Sequence, residues 1–395
     1  MLEFRRYKPS SLNRKTEKFI NFKVVTNNNM AKKKGALEQC ADQLVKCMHI
    51  REGEDFAIVG DNSTASIMTA LEASAKDVGA NAKFYNVSDE SRYGKRPFTD
   101  IPKEIADVVE AAGVTFFAVE KIATDEVDEL PTFRRKISPL AKKNGRYGFL
   151  PGLTEAVLMK AFGVDYDAVK EFTLRAGERF KKIKRAAVST QKGTYVEVEF
   201  DDRADDDPEK RFKWMLSTGE IENKGDYANV IPAYLTTHPA SLKGIWVVDA
   251  VYQPLTAWDK YKENPRSLLA KMGKQPISLR IEDVDGVSRI TEVECADPEI
   301  QAFARKKIFE TDENSDRIGE FAVGTNTGVT SLSGVNILDE CVGGIARIGH
   351  GYGYPATGGN YYKSDIHADA LVRGTTLMDL GTDEILVLNG KFAQF

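Results

Sequence analysis

Between Gly319 and Asp369 the chain gathers Glu320 behind a glycine, an Asp339-Glu340 turn, a glycine- and tyrosine-rich loop and the pair His367-Ala368-Asp369. The sequence holds four histidines, and two of them, His350 and His367, lie in this stretch. His367 and Asp369 follow an apolar position and precede Ala370-Leu371-Val372, which predicts a strand. Residues i and i+2 of a strand face the same side, so imidazole and carboxylate converge on one point. With Glu320 the donor set is one nitrogen and two oxygens, which suits Zn²⁺, Mn²⁺, Co²⁺ or Fe²⁺. The plainer alternative is a histidine bonded to a neighbouring aspartate in a self-satisfied polar cluster.

Composition limits what surrounds these residues. The chain has 395 residues, 42% hydrophobic and 29% charged, with a net charge of −4. That length allows a large core and favours two domains. There is no basic excess to neutralise phosphates, so a nucleic-acid partner is not expected. No apolar run approaches the ~20 residues of a membrane span. Cys40, Cys47, Cys295 and Cys341 form no paired motif and read as reduced thiols of a cytoplasmic protein. Residues 1–30 are basic and polar, lack the apolar centre of a signal peptide and read as a flexible extension.

The elements that must position the chemistry divide in two. Leu37, Cys40, Ala41, Leu44, Val45 and Met48 have helical spacing. Strands are predicted at 56–60, 82–87 and 114–119, with a fourth strand and turn over 146–152, alternating with helices at 63–78 and 101–111. This alternation implies a parallel α/β domain over 31–187. Gly60-Asp61-Asn62-Ser63 is a strand-to-helix turn with Ser63 as N-cap, without a nucleotide-binding fingerprint. A long helix is predicted from Tyr166 to Lys184. Beyond it, Tyr195–Phe200, Gly244–Val248 and Ile277–Ile281 alternate with period two, which predicts an antiparallel-strand-rich α+β domain over 188–395 carrying the metal-site motifs. The acidic run Asp201–Lys210 reads as a solvated loop.

The same segment resembles the metallo-aminopeptidase family that includes aminopeptidases T and S. The resemblance rests on Gly319-Glu320, Gly324-Thr325-Asn326, Leu338-Asp339-Glu340, Gly343-Gly344, Tyr354, Ile366-His367-Ala368-Asp369 and Asn389-Gly390-Lys391-Phe392. Upstream, Leu150-Pro151-Gly152-Leu153-Thr154-Glu155 and the stretch 190–194 are also similar. It implies that Glu320, His367 and Asp369 are metal ligands, that Tyr354 lies near the metal and that the chain is a homodimer. Two family ligand positions differ. The histidine of the glycine-rich loop is replaced by Arg347, and the family's first glutamate falls on Tyr234, with Glu220 a local alternative. A more distant resemblance, to the 2,5-dihydroxypyridine dioxygenases, rests on the missing first glutamate and on Arg347-Ile348-Gly349-His350-Gly351.

Three functions follow. The first is a metal-dependent hydrolase of aminopeptidase type, with an altered mononuclear site acting on a peptide or small amide. There Glu320 or Glu340 carries the proton, Tyr354 steadies the oxyanion, and Arg347, His350 and Tyr234 line the substrate. The second is a mononuclear non-haem iron dioxygenase cleaving a hydroxylated ring. The third is a metal-free binding protein. For Arg347 three roles stand open: neutralising carboxylates in place of a second metal, binding a substrate carboxylate, or a buried ion pair with Glu340 or Asp339. His350 is a possible replacement ligand.

Overall fold

Phe56-Ala57-Ile58-Val59 and Val114-Thr115-Phe116-Phe117 are buried along their whole lengths, as strands covered on both faces must be. In the computed structural model, which describes residues 34–119, 129–150, 152–200, 214–254, 275–353 and 362–394, they form the centre of a parallel sheet. The extension 1–30, Pro151, the acidic run and Tyr354 lie outside the described residues. The sheet comprises β1 (Asp55–Gly60), β2 (Asn81–Asn86), β3 (Val114–Ala118) and β4 (Arg146–Phe149) in the order β2-β1-β3-β4. Helices Ala36–Cys47, Ala65–Asp77, Lys103–Ala111 and Glu129–Asn144 accompany it. Cys40 and Cys47 sit on the buried face of the first helix, both as free thiols.

Two antiparallel sheets make up most of the remainder. The larger contains β5 (Arg185–Ser189), β6 (Tyr195–Phe200), β10 (Pro239–Val248), β12 (Ile277–Val284), β13 (Val287–Cys295), β17 (Thr376–Asp379), β18 (Glu384–Leu388) and β19 (Lys391–Phe392). The smaller contains β7 (Met215–Ser217), β9 (Tyr234–Thr237), β11 (Tyr252–Pro254), β14 (Ile318–Gly324), β15 (Ala346–Gly351) and β16 (His367–Val372), in the order β11-β16-β15-β14-β9-β7. The fold is thus mixed α/β, with one parallel and two antiparallel sheets among the described residues.

The boundary expected at residue 187 is crossed both ways. Strand β8 (Tyr227–Ala228) pairs in parallel with β4, becoming the fifth strand of the first sheet. Helix Tyr166–Phe180, shorter than its predicted span, sends Phe172, Ala176 and Phe180 into the core between the antiparallel sheets. No helix among the described residues is long and apolar enough to cross a membrane.

Alternation assigns the faces of the smaller sheet. Phe321 and Val323 of β14, Ala346 and Ile348 of β15, and Ala368 and Ala370 of β16 pack in one core with Val196, Leu242 and Trp246 of the larger sheet. Trp246 Nε1 donates to the Ala370 carbonyl at 3.1 Å, joining the two layers. The intervening residues Glu320, Arg347, His367 and Asp369 therefore share the opposite face. Leu371, on that same face of β16, packs with Leu338, Cys341 and residues of the first helices.

Candidate metal centre

Register brings the chemistry-bearing residues together. Glu320 of β14 pairs with Gly349 of β15, and Gly349 pairs in turn with Asp369 of β16. Glu320 and Asp369 are thus two strands apart with only a glycine between them. A Cβ on Gly349 would lie 2.5 Å from Glu320 Cγ, so the missing side chain is the space through which Glu320 reaches Asp369. Arg347, two residues before Gly349, enters the same space from the same face.

Glu340 arrives from the loop after β14, just beyond the short helix Asn336–Asp339. Gly324 permits this, because a Cβ there would collide with the backbone of Glu340, Cys341 and Val342. Asn326 then fixes the loop: its backbone N–H donates to the Cys341 carbonyl at 2.9 Å and its Nδ2 to the Pro232 carbonyl at 2.7 Å. The Gly-Thr-Asn motif is accordingly a device for placing Glu340.

The resulting cluster is buried, with Glu320, Glu340, Arg347, His367 and Asp369 each at most 5% exposed. Arg347 Nη1 lies 2.6 Å from Asp369 Oδ1, 2.9 Å from Glu320 Oε1 and 3.0 Å from Glu340 Oε2. The Tyr234 ring lies against the guanidinium, 5.0 Å from its carbon to the ring centroid. His367 Nδ1 is 2.5 Å from the Tyr352 carbonyl oxygen. A carbonyl only accepts, so Nδ1 carries the proton and Nε2 is aimed at the carboxylates. Nε2 lies 3.4 Å from Asp369 Oδ1 and 3.9 Å from Glu320 Oε1. Asn336 Nδ2 donates to Asp369 Oδ2 at 2.8 Å, which turns Oδ1 toward the cluster.

These residues fit a divalent ion. The donor atoms of Glu320, His367 and Asp369 all lie within 4.8 Å of one another. His367 Nε2 faces the carboxylate oxygens of Asp369 and Glu320, so either a proton or a metal ion between them would satisfy the three groups. Glu320 Oε1 accepts no hydrogen bond among the described residues. A histidine held through its other nitrogen and a carboxylate held through its other oxygen are also the usual supports of metal ligands.

Charge and burial set the protonation states. Burial raises Glu340 to about 7, opposed by Arg347. Burial likewise raises Glu320 above the usual carboxylate range. For Asp369 burial is outweighed by Arg347, His367 and Asn336, which hold it well below the usual range. Burial alone would lower His367, but Asp369 and Glu320 bring it above its ordinary value.

Other candidates lie elsewhere. His350 is three residues from Arg347 on the same strand, an odd step that puts it on the sandwich-core face. There its Nδ1 meets the Ser315 carbonyl at 2.6 Å and its Nε2 the Tyr252 hydroxyl at 2.9 Å, so both nitrogens are committed. Glu220 is taken up by Lys170 at 2.8 Å, His49 at 3.2 Å and Thr218. Asp339 accepts from Ser333 and Gly334, and the ion pairs of Arg347 go to Glu340, Glu320 and Asp369 instead. Sequence reasoning missed Asn336, Asn229 and Gly349. Asn229 Nδ2 donates to Glu340 Oε1 at 3.5 Å. Of the three, only the glycine between Ile348 and His350 was signalled by a motif.

No protein-family profile matches the chain, and no curated protein matches it in sequence. Solved structures that share its fold include two enzymes. The 2,5-dihydroxypyridine dioxygenase from Pseudomonas putida KT2440 aligns over 91% of this chain and 97% of its own, with a TM-score of 0.60 and 15% identity. Wild-type AmpT from Thermus thermophilus, an aminopeptidase, aligns over 90% and 98%, with a TM-score of 0.57 and 15% identity. At this identity the chain is distantly similar to both in architecture, and a metal-dependent enzyme is compatible with that architecture and with the triad.

Proposed function

We propose that the chain is a metal-dependent hydrolase acting on a peptide or small amide, with one divalent ion held by Glu320, His367 and Asp369. The observation that carries this reading is the convergence of one imidazole and two carboxylates, the donor atoms of Glu320, His367 and Asp369 lying within 4.8 Å of one another in the buried interior. When bound, the ion would supply Lewis-acid polarisation of a carbonyl and a more acidic water. The remaining work falls to the chain's own groups. Glu340, at about 7, is matched to accepting a proton and returning it near neutral pH. Arg347 holds Glu320, Glu340 and Asp369 together and leaves little of its charge for a substrate carboxylate. Tyr234 holds the guanidinium in place, and Tyr354 is assigned by resemblance to the developing oxyanion.

One imidazole with two carboxylates is a harder donor set than the two-histidine, one-carboxylate arrangement of non-haem iron oxygenases. That difference favours hydrolysis over ring cleavage. The deciding measurement is metal analysis of protein purified without chelator, joined to hydrolysis of an aminoacyl-anilide panel. One equivalent of Zn, Mn or Co with amide hydrolysis is the expected result. One equivalent of iron with oxygen uptake on a hydroxylated pyridine would transfer the chain to the dioxygenase reading. No bound metal after supplementation with either kind would overturn both.

A further inference from the structure

The three carboxylates around Arg347 are arranged for a spherical cation, and a guanidinium fills the place incompletely. Arginine ordinarily pairs with acids through a planar fork of parallel N–H bonds. Here Asp369 Oδ1, Glu320 Oε1 and Glu340 Oε2 all converge on the single atom Nη1, at 2.6, 2.9 and 3.0 Å. A terminal guanidinium nitrogen has two hydrogens, so it cannot direct one at each of three oxygens. Of these three oxygens, Asp369 Oδ1 accepts a hydrogen bond from Nη1 with good geometry, and Glu320 Oε1 accepts none among the described residues. Arg347 Nε is itself buried without a partner among the described residues, as are Asn229 Oδ1 and Asn336 Oδ1 beside the acids. A planar, directional donor satisfies this cage poorly, whereas an ion with no directional preference would satisfy all three oxygens.

We infer that Arg347 occupies a second cation position, built by Glu320, Glu340 and Asp369, and that its side chain keeps a divalent ion out of it. Removing the side chain would add one ion per chain to whatever number the native protein binds. The inference shares Glu320 and Asp369 with the site proposed above, but it concerns the gain in stoichiometry and not the starting value.

The experiment is metal titration followed by calorimetry and elemental analysis, with Mn²⁺ and Zn²⁺ as probes, on the full chain and on Arg347→Ala. Arg347→Ala should bind one equivalent more than the native protein. Arg347→Lys, which keeps a compact cation in the cage, should bind the native number. In Arg347→Ala/Glu340→Gln the extra equivalent should disappear, placing it on the Glu340 side. An unchanged count in Arg347→Ala overturns the inference, whatever the native count is. A native count of zero with a gain of one upholds it while removing the proposed mononuclear centre. If Arg347→Ala fails to fold in metal-free buffer, it should fold on addition of Mn²⁺ with a rising melting temperature. Failure to fold at every Mn²⁺ concentration, while Arg347→Lys folds, counts against the cage.

Discussion

Arg347 and Asp369 stand on adjacent strands one diagonal step apart, and Arg347 donates to Asp369 Oδ1 at 2.6 Å across the position of Gly349. The same aspartate takes Asn336 on its other oxygen and faces His367 Nε2. One carboxylate therefore fixes three neighbours, and its loss should be felt by all of them.

Substituting His367 with alanine should abolish stable metal binding. The variant removes the only imidazole of the triad while leaving Arg347 to balance the acids. Elemental analysis after gel filtration should find less than about a tenth of the native metal content, given that even outer partners of metal ligands are worth ~10–100-fold in affinity. Native metal content in this variant would show the His-x-Asp pair to be structural.

Asn336→Leu tests the support rather than the ligand. Without Nδ2, Asp369 Oδ2 has lost its 2.8 Å donor and the carboxylate is free to turn. Metal affinity should fall by roughly 10-fold or more. The far-ultraviolet spectrum should stay native.

Gly349→Ala should be costly for so small a change. Its Cβ would sit 2.5 Å from Glu320 Cγ, and both flanking strands are buried, so the glutamate must move. Overpacking of this kind costs about 1–3 kcal/mol, read as a lower denaturation midpoint. Metal affinity should fall with it, because the displaced group is a ligand. Ile348→Val, on the opposite face, should leave metal affinity unchanged.

Glu340→Gln separates proton transfer from binding. In the native protein kcat/KM should rise with pH through a limb near 7, as the carboxyl gives up its proton. The glutamine variant should lose that limb and roughly 10²–10⁴-fold in rate. A persistent limb near 7 in the variant would assign it to another group.

His350 makes stability depend on pH. Burial lowers it to about 4, below its ordinary value of 6.5, so the folded protein disfavours the imidazolium. The unfolded chain then binds more protons between those values, and its contribution is present above pH 6.5 and lost as pH falls toward 4. The move from 6.5 to about 4 corresponds to about 3 kcal/mol at most. Denaturant melts from pH 7 to pH 4 should show this loss, and His350→Leu should reduce it. Tyr252→Phe should cost about 1–3 kcal/mol at pH 7, by leaving His350 Nε2 buried without its donor.

Much of the fold was legible in sequence because local pattern and tertiary role agree. Val114–Ala118 is buried on both faces and lies inside a parallel sheet; Tyr195–Phe200 alternates and covers one face of a sandwich. The two-residue period of a strand put His367 and Asp369 on one face, and the family resemblance joined Glu320 to them. What sequence did not reveal was register across strands. That Gly349 falls between Glu320 and Asp369 depends on the irregular pairing between Ile318 and Glu320 of β14, which no single-chain pattern encodes. His350 was misplaced for the converse reason: proximity in sequence suggested proximity in space, whereas an odd number of steps along β15 reverses the face. Asn229 and Asn336 carry no motif, and Asn336 reaches Asp369 from the start of the short helix Asn336–Asp339.

The enclosure of the cluster has a kinetic side. Its five ionisable side chains are each at most 5% exposed. An ion held there cannot leave faster than the surrounding structure opens, however weak or strong its equilibrium binding. Chelator treatment of folded protein should therefore strip metal slowly, at a rate insensitive to chelator concentration, and metal supplied during refolding should load far faster than metal added afterwards.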